Sequence, residues 1–335
     1  HARIAMLKLL AKIVIIALIA GAAILGYALY APAGPHDEKL VQLKSHSSAR
    51  YVAYELRKAG IVRSEYAFLI WHYTHGRKSL KAGEYAFDHP ARLGEIYQRL
   101  VRGDIYVHTL VIPEGYNMFD IAQAIEDAGL GRRGDFLNVV HSDVSLVRDL
   151  DPQAPTLEGY LFPDTYHFTR TQSLHDIAAT MVRRFRQTAK EAGLTQNFHT
   201  VVTMASIVEK ETGADSERPE VASVFYNRLN RHMVLATDPT VIYAALLNNR
   251  YRGTIYRSDL QFDSPYNTYK NQGLPPGPIC NPGKASLLAA LHPANTQYLF
   301  FVSDNQGHHR FSTTPEEHAR NVAAYRRAVA ASDNQ

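Results

Sequence analysis

The sequence predicts an α+β protein: one transmembrane helix, a membrane-proximal α+β region, and a mixed, mainly helical C-terminal domain. Three observations carry that class. Residues 13–31 contain no charged side chain. Short strand-like runs (81–87, 108–113, 298–303, 309–312) are interleaved with longer runs of helical period. Residues 201–213, VVTMASIVEKETG, are too apolar for a surface helix and too short to cross a bilayer, so they read as a buried core helix.

Composition narrows the field before any motif is sought. The 335 residues leave room for two or three compact units, and 46% apolar with 20% charged residues is ordinary for a folded chain. A net charge of +4 with no dense basic stripe argues against nucleic acid as a partner. Tyrosine is frequent, 20 residues against a single tryptophan, Trp71, and its flat face with a polar tip suits sugar rings as well as cores. The lone cysteine, Cys280, excludes an intramolecular disulfide.

In chain order, residues 1–12 form a short tail bearing Arg3, Lys8 and Lys12, and the uncharged stretch 13–31 follows. Nineteen residues at a helical rise come to about 28 Å, close to the hydrocarbon thickness of a bilayer. Basic residues before it and Asp37 and Glu38 after it place the N-terminus in the cytoplasm. The rival reading is a cleaved signal peptide, but the apolar core is longer than a usual one and 32–35 is only a weak cleavage-like site.

Residues 37–150 read as the membrane-proximal α+β region and contain an internal echo. SARYVAYELRKAGI (48–61) and NMFDIAQAIEDAGL (117–130) both read as amphipathic helices ending in Ala-Gly plus an apolar residue. Ser48 and Asn117 are N-cap candidates, and Gly60 and Gly129 C-cap candidates. Either two unrelated helices share a capping grammar, or a small unit is duplicated. Residues 81–87 and 108–113 read as strands, with Glu114-Gly115 as a turn. Residues 92–101 read as a short helix facing inward through Leu93, Ile96, Tyr97 and Leu100. Past Gly131 the chain is expected to loosen, and 149–155 (DLDPQAP) marks a boundary.

Residues 151–330 read as the catalytic domain. It opens on the aromatic stretch LEGYLFPDTY (157–166), followed by a basic amphipathic helix at 173–192 whose Arg183, Arg184, Arg186 and Lys190 suit a solvated face first and a wall or lipid contact second. After the core helix come helices at 219–231 and 237–246, the second entered through Asp238-Pro239. Residues 264–283, rich in proline, glycine and tyrosine, read as a stiff irregular loop. A helix at 286–292, paired strands at 298–303 and 309–312, and a helix at 316–330 complete the chain.

The chemistry has few candidates. The chain holds no phosphate loop, nucleotide glycine fingerprint, HExxH, CxxC or GxSxG, so no metal or cofactor is expected. Glu209, at the end of the apolar helix, admits two readings. It is a helix end re-entering solvent, or it is a general acid whose proton is retained through burial and the negative end of the helix dipole. Near it in type, though not in sequence, are Tyr266, Asn267 and Tyr269 on the stiff loop, Asn227 on the following helix, and Glu158 and Tyr160 on the aromatic stretch. A carboxyl acid beside aromatics and amides is the chemistry of glycosidic cleavage. Glu209 and Glu211, two apart on a helix, diverge and do not make a paired acid and nucleophile.

The runs ASIVEKET (205–212), ASVFYNRL (222–229), TDPTVIY (237–243), YNTY (266–269), GLPPGPI (273–279) and NPG (281–283), with LEGYLFPDTY and IPEG (112–115), closely resemble the endolytic murein transglycosylases of the MltG, or YceG-like, family. The likeness runs in order along nearly all of the chain after residue 31; Cys280 departs from it where a small residue such as alanine is expected. The resemblance implies an inner-membrane protein with a periplasmic catalytic domain and a LysM-like wall-binding module, matched best by about 108–143. It implies Glu209 as the catalytic glutamate; by residue type, Tyr266, Asn267, Tyr269 and Asn227, with Glu158 and Tyr160 on the aromatic stretch, are candidates to orient the sugar or, alternatively, loop and helix scaffolding. It also implies cleavage within nascent glycan strands to a 1,6-anhydro end, beside the penicillin-binding synthases. One carboxyl would suffice: it protonates the glycosidic oxygen, then accepts the proton of the substrate's own C6 hydroxyl. A lysozyme-like hydrolase, with Glu158 or Asp238 as a distant second carboxylate, and a non-catalytic glycan-binding scaffold are the competing readings.

Overall fold

The structure is a computed structural model and describes residues 2–332. Two compact units share the chain. The first comprises the chain up to His108 together with His167–Thr171; the second comprises Thr109–Tyr166 and the chain from Gln172. The boundary expected at 149–155 therefore falls inside the second unit.

The first unit opens with helix α1, Ala2–Tyr30. Its segment Met6–Tyr30, 25 residues of mean hydropathy 2.6, is long and apolar enough to cross a membrane. The tail expected at 1–12 is thus continuous with the helix from Ala2 onward. Most of α1 is bare, but Leu25, Ala28 and Leu29 pack against the unit's core. That core is enclosed by β1 (Lys39–Leu43), α2 (Ala49–Lys58), α3 (Glu65–Thr74), β2 (Gly83–Phe87) and α4 (Leu93–Arg102). Strands β1 and β2 pair antiparallel from Lys39↔Phe87 to Leu43↔Gly83. Alternation sends Val41 and Leu43 inward, and α4 presents the expected face of Leu93, Ile96, Tyr97 and Leu100. Glu84, buried in β2, is matched by Arg170 Nη1 at 2.7 Å and His108 Nε2 at 2.6 Å, as a buried carboxylate requires.

Strand β3 (His108–Val111) pairs with β4 (Thr165–Phe168). Between them lie α5 (Met118–Asp127) and α6 (Arg133–Ser142). The chain does not loosen past Gly131: Phe136 and Val140, four apart, bury one face of α6, a helical spacing outweighed in the sequence by the surrounding glycines and charges. Elements β1 and α3 were likewise not anticipated, although Ser64 caps α3 by accepting from Ala67 N–H at 3.3 Å.

The internal echo extends beyond its two helices. Each is preceded by a strand and followed by a second helix and a pairing strand, in the order strand–helix–helix–strand. Ser48 and Asn117 cap α2 and α5. Gly60 and Gly129 adopt φ of 76° and 66°, the left-handed turn that lets Ile61 and Leu130 N–H reach back to Leu56 and Ile125 carbonyls.

The second unit also contains α7 (Leu174–Glu191), α8 (Phe198–Glu211), α9 (Arg218–Asn230), α10 (Asp238–Leu247), α11 (Lys284–Leu291), the hairpin β5 (Phe300–Ser303) and β6 (His309–Ser312), and α12 (Pro315–Ser332). Helix α8 is its centre and packs against α9, α10 and α11. Every residue from Val201 to Val208 is buried, as the apolar run predicts. The helix stops at Thr212, whose hydroxyl accepts from Ala214 N–H, rather than by a left-handed turn at Gly213. On α7, Arg184 and Arg186 pair with Asp164 and Asp149, each at 2.6 Å, and so belong to the protein's own surface network.

Candidate active site

The last turn of α8 carries Glu209 out of the core. Its carboxylate is 6% exposed and meets two donors: Arg218 Nη1 stands 3.2 Å from Oε1, and the Gly283 N–H donates to Oε2 at 2.9 Å. Arg218 lies at the start of α9, itself buried, and is oriented by Ser286 Oγ at 2.7 Å and Asp215 Oδ1 at 3.0 Å. Gly283 is the N-cap of α11, so the donor belongs to the positive end of that helix. Burial and the end of α8, the two influences read from the sequence, are therefore met by a guanidinium and a helix N-terminus of opposite sign.

A second carboxyl group stands beside Glu209. Glu114, in the turn after β3, lies against the bare backbone of Gly283, where an added Cβ would overlap its carboxyl group. Its affinity for a proton is raised above the ordinary carboxylate range, first by partial burial and then by the charge of Glu209. The next residue, Gly115, has φ 77°, and a Cβ there would meet Glu209 Cγ at 3.5 Å and Lys210 Cδ at 3.6 Å. Lys210 Nζ closes the turn by donating to Gly115 O at 3.2 Å. Glu114, Lys210, Tyr116 and Asp120 edge a crevice of about 390 Å³.

This turn is held by Asn281. Gly115 N–H donates to Asn281 O at 3.0 Å, and Asn281 returns its N–H to Tyr116 O at 2.8 Å. The Asn281 amide oxygen accepts from Leu161 N–H at 2.9 Å, and its Nδ2 donates to Glu158 Oε1 at 2.7 Å. Glu158 is fully enclosed. Its other oxygen accepts from Met118 N–H at 2.8 Å and Tyr243 OH at 3.0 Å, yet burial outweighs these donors and pushes its carboxyl up to about 8. A carboxyl with both oxygens engaged beneath the surface is a brace for the turn rather than a group that meets solvent.

The other sequence candidates divide. Tyr160 is buried, donating to Asp151 Oδ2 at 2.6 Å. Asn267 is fully buried and gives Nδ2 to Leu260 and Phe262 carbonyls at 3.0 and 2.8 Å, clamping the 264–283 loop. Asn227 gives Nδ2 to Thr296 and Tyr298 carbonyls at 2.9 and 3.0 Å, tying α9 to the approach to β5. The polar atoms of these residues serve the scaffold. Tyr266 is half-buried, its ring 5.1 Å from that of Tyr243. Tyr269 is exposed and donates to Asp238 Oδ1 at 2.6 Å. It gathers with Glu211, not Glu209, around a separate cavity of about 240 Å³ that Arg228 and His318 also line. Glu211 accepts from Thr237 Oγ1, and burial raises its carboxyl. The divergence of Glu209 and Glu211 inferred from the helix thus separates two sites. Cys280, fully buried with its thiol on Ser206 O at 3.2 Å, is a core residue.

Sequence reasoning gave no role to Glu114, Arg218, Ser286 or Lys210. Glu114 lies within the IPEG run, but nothing in its spacing announces that a residue 95 positions from Glu209 shares its site.

Comparison with protein-family models matches residues 41–324 to the YceG-like family. A Bacillus subtilis protein named endolytic murein transglycosylase is 35% identical over 331 residues, covering 92% of this chain and 91% of its own. A Streptococcus pneumoniae protein of the same name is 30% identical over 85% of this chain, which spans 58% of that longer protein. The crystal structure of a yceG-like protein from Listeria monocytogenes, 34% identical, superposes with a TM-score of 0.55 over 85% of this chain and 99% of its own.

Proposed function

Because this chain belongs to the YceG-like family, we propose that it is an endolytic murein transglycosylase, a lyase cleaving within peptidoglycan glycan strands, with Glu209 as its catalytic acid and base. The observation that carries the residue assignment is the Glu209 carboxyl itself: it is delivered by the most buried helix of the second unit and lies beside a crevice lined by Glu114 and Lys210.

The chemistry follows from one carboxyl group and a nucleophile supplied by the substrate. Protonated Glu209 gives its proton to the oxygen of the MurNAc–GlcNAc bond, and the bond from the anomeric carbon to that oxygen breaks. The carboxylate then takes the proton of the muramic acid C6 hydroxyl as its oxygen bonds to the anomeric carbon. The products are a 1,6-anhydro end and a free hydroxyl; no water is consumed. Arg218 and the Gly283 N–H hold the carboxylate between the two transfers. Burial and the charge of Glu209 raise the proton affinity of Glu114, which disfavours two full negative charges in the shared site.

Removing the single acid–base group is expected to cost about 10²–10⁴ in rate. Glu209→Gln, incubated with purified glycan strands and read by mass spectrometry, should lose anhydro products to that extent while folding normally. Near wild-type cleavage would sink the assignment, and products one water heavier would make the enzyme a hydrolase. Strand binding without cleavage by the wild-type protein would favour a scaffold.

The same reading places α1 in the inner membrane with the catalytic unit in the periplasm, beside the penicillin-binding synthases. The segment at about 108–143 would serve as the LysM-like contact to the wall. Basic residues ahead of residue 13 and acidic residues beyond it support that orientation.

A further inference from the structure

Where α1 leaves its apolar stretch, the first unit holds a crevice of about 700 Å³. Its lining includes the helix itself, through Ile24, Tyr27 and Ala28, and the cationic or titratable side chains Arg57, Arg63 and His36. Ile24 and Tyr27 are 71% and 59% exposed, although they belong to the segment long and apolar enough to cross a membrane. Arg63 is fixed at this point: its Nη2 donates to Pro32 O at 2.7 Å, and its guanidinium stands 4.5 Å from the centre of the Tyr27 ring. Arg57 comes from the last turn of α2. Among the described residues lining the crevice there is no carboxylate.

Apolar wall and cationic rim are each ordinary alone. Together they match one class of molecule, because a membrane-embedded helix has lipid beside it and, among the described residues, no carboxylate pairs with either guanidinium. Planar guanidinium donors fit phosphate oxygens in pairs, and basic pockets beside membrane helices take anionic head groups. We propose that this crevice binds an anionic membrane lipid, its chain along α1 and its phosphate between Arg57 and Arg63. The assignment rests on α1 being embedded; it is independent of the glycan chemistry of the second unit. Such a lipid would fix the first unit against the bilayer surface.

The test uses the full chain, released from membranes in detergent and titrated with phosphatidylglycerol or phosphatidylcholine under native mass spectrometry. Wild type should retain one phosphatidylglycerol about tenfold more tightly than phosphatidylcholine, and Arg57→Gln with Arg63→Gln should abolish that preference. Arg63 also seats the end of α1, so Arg57→Gln alone, with no such structural bond, should lower retention severalfold. Arg50→Gln, elsewhere on α2, should leave it unchanged. Equal retention of the two lipids by wild type, an undiminished preference in the double variant, or displacement by inorganic phosphate at concentrations comparable with the lipid would overturn the proposal. Carbonate extraction of membranes is read separately: a chain that washes off refutes the anchor, whereas one that stays but shows no preference refutes only the crevice.

Discussion

The two strand–helix–helix–strand repeats are built alike and end differently. In the first, β1–α2–α3–β2, the helices and strands close on a core of their own, and the link from β1 to Ser48 runs over the exposed surface. In the second, β3–α5–α6–β4, the corresponding link is the Glu114-Gly115 turn, which lies against Glu209, Lys210 and Gly283. Both repeats use a side-chain N-cap and a left-handed glycine after the first helix. The shared grammar sets where a helix begins and stops; what the intervening turn touches sets whether the repeat becomes part of a site.

The largest expected effect lies at the clamp that only the second repeat possesses. Asn281→Ala removes the side-chain amide that joins Tyr116, Leu161 and Glu158 in one buried network. A loss of about 3 kcal/mol in chemical denaturation is expected, together with activity. If stability were untouched, Asn281 would not be what holds the turn.

Glu158 gives the comparison a pH signature. Its folded value of about 8 exceeds the ordinary 4.5. Below pH 4.5 the group is protonated folded and unfolded alike. Between 4.5 and about 8 the unfolded chain ionises first, so stability is lost as pH rises through that window. Glu158→Gln should remove this decline, worth up to about 5 kcal/mol at the alkaline end. Parallel melting profiles for the two proteins across that range would refute it.

Next comes the turn's contact with Glu209, the proposed acid and base. Gly283→Ala is compatible with a φ of −75°, but its methyl displaces the Glu114 carboxyl. Activity should fall about tenfold with little change in melting temperature. Glu114→Gln, which removes a carboxyl whose proton affinity is raised by burial and by the charge of Glu209, should take that group's ionisation out of the pH–rate profile. Unchanged profiles would reduce Glu114 to a packing residue.

The caps offer the smallest difference. Asn117 is buried and accepts from both Phe119 and Asp120 N–H, whereas exposed Ser48 accepts only from Tyr51 N–H among the described bonds. Asn117→Ala should cost about 2 kcal/mol and Ser48→Ala about 0.5–1 kcal/mol, measured by denaturation. Equal costs would mean that burial adds nothing to the second cap.

What the sequence determined by itself was local or periodic. The uncharged stretch at 13–31, the apolar run ending at Glu209, the caps Ser48 and Asn117, and the Asp238-Pro239 helix entry follow from side-chain chemistry within a few residues, and all are found in the structure. Ordered motifs also carried the family. The surroundings of Glu209 were decided by tertiary structure alone. Glu114, Arg218 and Gly283 come from three separate segments, and no periodicity relates them. The same limit explains Asn267, Asn227 and Glu158. An amide or carboxyl on a loop looks the same in sequence whether it faces sugar or a buried carbonyl. Only the folded chain shows that these have partners inside, because burial leaves a polar group no alternative to being paired.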